Sequence, residues 1–112
     1  MALPQLNPDL NEDELDRIVD QATTASNFLK AISHEGRLMI LCQLGEGEMS
    51  VSDLLERIDL SQSALSQHLA KLRKAELVGT RQESQTVYYS ITDPAAAKLI
   101  KTLAEIFCPE DA

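Results

Sequence analysis

A mostly helical fold with a single β-hairpin near its C-terminal end is what this sequence predicts, on three observations. Apolar residues recur at three- and four-residue steps through most of the chain. The period changes to two only after "AEL", at "VGTRQ" and "QTVYYSI", where β-branched and aromatic residues flank a short polar tip, "ES". Hydrophobic residues make up 44% of the 112 positions, enough for one domain with a modest core.

The elements follow in order. Residues 1–10 carry Pro4 and Pro8 without periodicity and read as a flexible arm. Asn11 caps a first helix whose opening turn, "EDEL", sets acids at the positive end of the helix dipole. Its stripe of Leu15, Ile18, Val19, Ala22, Leu29 and Ile32 runs about five turns, long for so small a domain. Part of that stripe has no evident partner within one copy.

"SHEGRLMILCQL" gives a second, shorter helix that stops at Gly45 and Gly47. Ser50 caps "VSDLLERI", with Asp53 three positions on in capping-box style, and Ser61 caps "QSALSQHLAKLRKAEL" in the same way. After the hairpin, Asp93 and Pro94 open a last helix with the stripe Ala96, Leu99, Ile100, Leu103, Ile106 and Phe107. The expected organisation is an arm over 1–10, a domain over 11–108 and a tail over 109–112, in the order α-α-α-α-β-β-α.

Composition limits the function. No apolar run approaches the ~18 residues of a membrane span, and the N-terminus is acidic where a signal peptide is basic. A cytoplasmic protein with its two cysteines reduced is expected. The net charge of −8 argues at first against nucleic acid. Its distribution does not: residues 1–20 hold six acids and one base, while residues 61–81 hold Lys71, Arg73, Lys74 and Arg81 against Glu76 alone. Phosphate contact depends on such a local basic island. No paired carboxylates, Cys-His pair or glycine-rich phosphate loop suggests an enzyme, and no cofactor is expected.

Two short helices joined by a tight turn and followed by a hairpin match a winged helix-turn-helix. On the second of these helices, at about 100° per residue, Leu65, Leu69 and Leu72 fall within about 60° and must face the core. The opposite face presents Ser63, Ser66, Gln67, Ala70 and Lys74, and Gln62 in the first turn is a further candidate contact. Short hydrogen-bonders around a small residue suit a major groove, where Gln and Ser reach base edges. An αα-hairpin with an incidentally polar face is the alternative. On the wing, Arg81 and Gln85 are candidate phosphate or minor-groove contacts. His68, at the edge of the leucine stripe, is either a half-buried histidine or a further contact.

Of the two cysteines, Cys42 shares an apolar face with Leu38 and reads as a small core residue. Cys108 fits that reading poorly, since it ends the last helix beside Pro109 and an acidic tail. Neither has a Cys or His neighbour at zinc-ligand spacing. Brought together by the fold, they could form a redox pair.

"HEGRLMIL", "EGEMSVSDLLERIDLSQSALSQHLAKLRKAELV" and "VYYSI" resemble the arsenic-repressor (ArsR/SmtB) family of bacterial regulators over about residues 25–107. The resemblance implies a homodimer packed through the first and last helices, repressing by binding operator DNA. That family's metal sites are missing: Met49, Ser50, Val51 and Ser52 stand where one would place a Cys-x-Cys pair. At the other, Asp93 is kept but Ala95, Ile106 and Pro109 replace the remaining ligands. Cys42 and Cys108 match the positions used by the sulfide-responsive BigR/SqrR-type branch. By implication, reactive sulfur species join the two thiols by a di- or polysulfide bridge, the operator is released, and sulfide-detoxification genes are expressed. A peroxide-responsive thiol switch and a metal-responsive repressor are the alternatives. Because acids and a helix C-terminus surround Cys108, Cys42 is expected to attack first.

Overall fold

Helix starts in the computed structural model, which describes residues 10–108, are fixed by side-chain acceptors just ahead of them. The arm, apart from Leu10, and the tail lie outside the described residues. Asn11 Oδ1 accepts from the Glu14 N–H at 2.8 Å and opens α1, Glu12–Ile32. Ser50 and Asp53 close a reciprocal box, each bond 3.1 Å, at the start of α3, Val51–Arg57. Ser61 Oγ accepts from the Ala64 N–H at 3.1 Å ahead of α4, Gln62–Lys74. With alanine at that third position there is no return bond, so the box expected here is half made. Asp93 Oδ1 accepts from the Ala95 N–H at 3.3 Å, and Pro94 begins α5, Pro94–Phe107. The cap of α2, Glu35–Leu44, is a histidine: His34 Nδ1 accepts from the Gly36 N–H at 3.0 Å.

The hairpin is β2, Val78–Glu83, antiparallel to β3, Thr86–Ile91, with Val78 opposite Ile91 and Glu83 opposite Thr86. Its tip is therefore Ser84–Gln85, one residue later than "ES" suggested, and Ser84 takes the left-handed φ of 57° that the turn requires. A further strand, β1, Met49–Ser50, pairs with the other edge of β3 and sets the sheet order β1-β3-β2. Two residues are too few to show alternation, and one of them is also the cap of α3.

The chain divides into two units, α1 as far as Lys30 and everything from Ala31 onward. In the first, Leu15, Val19 and Leu29 are exposed. In the second, Ile40, Leu41, Leu54, Leu65, Leu69 and Leu72 are fully buried, each worth ~1.5–3 kcal/mol over an exposed position. α2 packs against α3, α4, α5 and β3, so it buries residues on more than one side. On α5, Ala96 and Ile100 are buried, whereas Ile106 is 62% and Phe107 73% exposed. The apolar stripe of this helix is thus buried near its start and exposed at its last turn.

The α2–α4 seam is close. A Cβ on Gly36 would come within 2.8 Å of His68 Nε2, and the His68 ring leans on that of His34 with centroids 4.4 Å apart. His68 Nδ1 and Arg37 Nε are buried without hydrogen-bond partners, while Arg37 also donates to the Ala31 carbonyl at 3.0 Å. Gly36→Ala is expected to lower stability by about 1–3 kcal/mol through overpacking, measured by urea unfolding. The loss should shrink when His68 is also made alanine.

Burial, then the charges of His34, Arg37 and Lys71, hold the His68 imidazole below its ordinary pKa of 6.5. The unfolded chain therefore takes up this proton first as pH falls. Stability should be unaffected above that value and lost progressively below it. Urea midpoints at about pH 7.5 and about pH 5.5 should differ less in His68→Gln than in the wild type.

Candidate nucleic-acid interface and thiol pair

With Leu65, Leu69 and Leu72 turned into the core, α4 leaves Ser63, Ser66, Gln67, Ala70 and Lys74 exposed along its other side and Gln62 exposed at its first residue. Ser66, Ala70, Arg73, Lys74 and Tyr89 line a shallow groove of about 370 Å³ between α4 and the wing. Arg73 and Tyr89 are additions to the residues expected from sequence. Arg73 stood out only as part of the basic island, and Tyr89 reaches the groove through strand pairing that no local pattern reports.

His68 takes the half-buried position of the two open to it: its ring lies in the α2–α4 seam against Gly36 and His34, with one nitrogen buried. Arg81 is exposed but engaged. Its Nε lies 3.1 and 3.2 Å from the two Glu48 oxygens, Nη1 reaches Glu83 at 3.4 Å, and the guanidinium carbon sits 4.8 Å over the Tyr88 ring. The guanidinium holds the Glu48 carboxyl below the usual range, and Glu48 pushes Arg81 further up. Gln85 is exposed at the wing tip.

Cys42 lies half-buried on α2, and Cys108 is exposed at the end of α5, its N–H donating to the Ala104 carbonyl at 2.8 Å. Both line one open cavity of about 840 Å³ beside α2 and α5. Both also border a second, of about 580 Å³, which reaches His34 and Arg57. Burial first, and then the nearby charge of Cys108, push the Cys42 thiol up. That runs against the expectation that Cys42 attacks first, because its thiol is pushed up and it is the less accessible sulfur. Among the described residues no three His, Cys, Asp or Glu side chains cluster to hold a metal, and no helix is long and apolar enough to cross a membrane.

Residues 34–80, from the cap of α2 into β2, match the family described as "Bacterial regulatory protein, arsR family". Over 104 residues the chain is 40% identical to the biofilm growth-associated repressor of Agrobacterium fabrum, covering 92% of this chain and 89% of that protein. The chain belongs to the arsR family of bacterial regulatory proteins.

Two further relatives extend the comparison. The transcriptional activator HlyU of Vibrio cholerae is 49% identical over 81 residues, which are 72% of this chain and 75% of HlyU. Its structure, solved as "Reduced HlyU", superposes with a TM-score of 0.80 at 44% identity over 83% of this chain and 98% of that one. The repressor BigR of Xylella fastidiosa gives a TM-score of 0.79 at 38% identity, covering 88% of this chain and 97% of that one. The arsR-family chain is thus a winged-helix transcriptional regulator and not an enzyme.

Proposed function

We propose that the protein is a homodimeric repressor that binds operator DNA while Cys42 and Cys108 are reduced. It releases the DNA when reactive sulfur species join them by a di- or polysulfide bridge within one subunit. Genes for sulfide detoxification would be its targets, and a reducing cytoplasm its location. The observation that carries this reading is the meeting of two cysteines, distant in sequence, on the wall of the same cavity.

On DNA, α4 enters the major groove with Gln62, Ser63, Ser66 and Gln67 toward base edges, while Lys74 and Arg73 approach phosphates. Arg81 and Gln85 of the wing meet the backbone or minor groove. The apolar residues exposed on α1 and on α5 supply surface for the dimer, whose two-fold axis spaces the two α4 helices. Arg81 must exchange Glu48 for a phosphate as it docks. Glu48→Gln is therefore expected to tighten operator binding several-fold. It should also steepen the log–log salt dependence by about one unit, measured by titration across salt concentrations.

The exposed Cys108 is the first nucleophile in this reading. Its thiolate attacks the outer sulfur of a persulfide, R–S–SH, forming Cys108–S–SH and releasing R–SH. Cys42 then attacks the inner sulfur, closing a disulfide and expelling hydrogen sulfide. If each cysteine first accepts one sulfur, closure instead gives a trisulfide with loss of one hydrogen sulfide. The persulfide is itself the oxidant, and its sulfane sulfur leaves as sulfide.

Cys42→Ser and Cys108→Ser should each bind operator like the reduced wild type. Neither should lose it on persulfide treatment, whereas wild-type affinity should fall about a hundredfold, roughly 2.7 kcal/mol. In intact mass spectra Cys42→Ser should be modified at Cys108 about tenfold faster than Cys108→Ser at Cys42. An equal response to hydrogen peroxide would favour a general thiol switch, and a wild type without a bridge would overturn the reading.

A further inference from the structure

The cavity shared by the two thiols is much larger than thiol chemistry alone requires. At about 840 Å³ it falls within the 300–1,000 Å³ typical of small-molecule sites. Its wall includes the side chain of Ile100 beside Cys42 and Cys108, and charged groups stand at three points: Lys101 and Glu105 on α5, and Glu46 just beyond α2. Among the described residues the ion pairs are those of Arg81, and Lys101 makes none with them. Lys101 and Cys108 are seven positions apart on α5, roughly 10 Å at ~1.5 Å per residue. A tripeptide extended at ~3.3–3.6 Å per residue spans about the same distance.

Resting on the dithiol reading above, we infer that this cavity is a binding site for the carrier of the incoming sulfur. The carrier is a peptide-sized, zwitterionic thiol such as glutathione, delivered as its persulfide. Lys101 takes a carboxylate of the carrier, Glu105 or Glu46 its ammonium, and the apolar wall its aliphatic body. The sulfane sulfur is then held beside Cys108, with Cys42 next to it for closure. Inorganic polysulfide has neither an aliphatic body nor separated charges, and gains nothing from these groups. Holding the donor converts a bimolecular attack into one within a complex, which raises the rate for that donor alone.

The test compares bridge formation in the whole protein with glutathione persulfide and with sodium tetrasulfide, read by quenched intact mass spectrometry. In Lys101→Met the ratio of the first rate to the second should fall about tenfold, the effect of losing one charge-assisted contact. S-methylglutathione, which has no free thiol, should slow the wild-type reaction with glutathione persulfide in a saturable way. It should leave the tetrasulfide reaction as it was. A bridge that forms with both donors, at a ratio indifferent to Lys101 and to S-methylglutathione, would overturn the carrier site while keeping the dithiol reading. No bridge with either donor would overturn both.

Discussion

Within the unit from Ala31 onward, the other helices and the wing are referred to α2. This helix packs against α3, α4, α5 and β3 at once, and Ile40, Leu41 and Leu44 are buried among them. A helix enclosed in this way cannot carry a simple two-faced pattern, and its sequence, "EGRLMILCQL", is apolar on most sides. Gly36 near one end admits α4 closely, while Cys42 toward the other faces the cavity beside α5. The helix expected to read DNA and the helix that ends in the second thiol are therefore both seated on one rigid rod.

That arrangement gives the proposed switch a physical route. Packed interiors transmit displacement because they have little free volume in which to absorb it. A bridge between Cys42 and the end of α5 constrains α2 against α5, and α4 rests on the same helix. The α2–α4 contact is also poorly buffered: His68 and Arg37 each keep a buried nitrogen without a partner, and a Cβ at Gly36 would collide with the His68 ring. A seam without spare hydrogen bonds or spare volume is one where a small shift of α2 must be followed by α4 or must break contacts. The coupling needed is modest, since roughly 2.7 kcal/mol empties a site a hundredfold.

Local chemistry was legible in the sequence, and pairing across the fold was not. Asn11, Ser50, Ser61 and Asp93 are caps because their side chains bond to amides two or three residues away, a relation that spacing reveals directly. The leucines of α4 declare their face for the same reason. His34 escaped as a cap because imidazole is seldom used that way, and β1 because two residues carry no period. The Arg81–Glu48 pair joins positions thirty-three apart through the approach of β1 to β3, so a cation read as free for phosphate is already held by a carboxylate. His68 was left open for a related reason. Its place at the edge of a stripe permits either face, and Gly36, a residue on another helix, decides which. Of the two cysteines only Cys108 looked oddly placed in the sequence, and that both line one cavity depends on the packing of α2 with α5.

Coupling between the two sites must also run backwards. If a bridge weakens operator binding by some factor, bound operator makes the bridge less favourable by the same factor. Protein on DNA is then the pool least readily closed, and protein in transit off DNA the pool most readily closed. Such a switch responds by capturing dissociated dimers rather than by stripping bound ones, unless the donor is held long enough to react during a brief opening. A cavity that retains the donor beside Cys108 would supply that residence. The half-buried Cys42, with its thiol pushed up by burial, would supply the restraint, since it reacts only once a sulfur has been fixed at its neighbour. One exposed thiol to accept and one sheltered thiol to close is the division of labour such a sensor requires: the first sets sensitivity, and the second keeps a passing oxidant from closing the switch in one step.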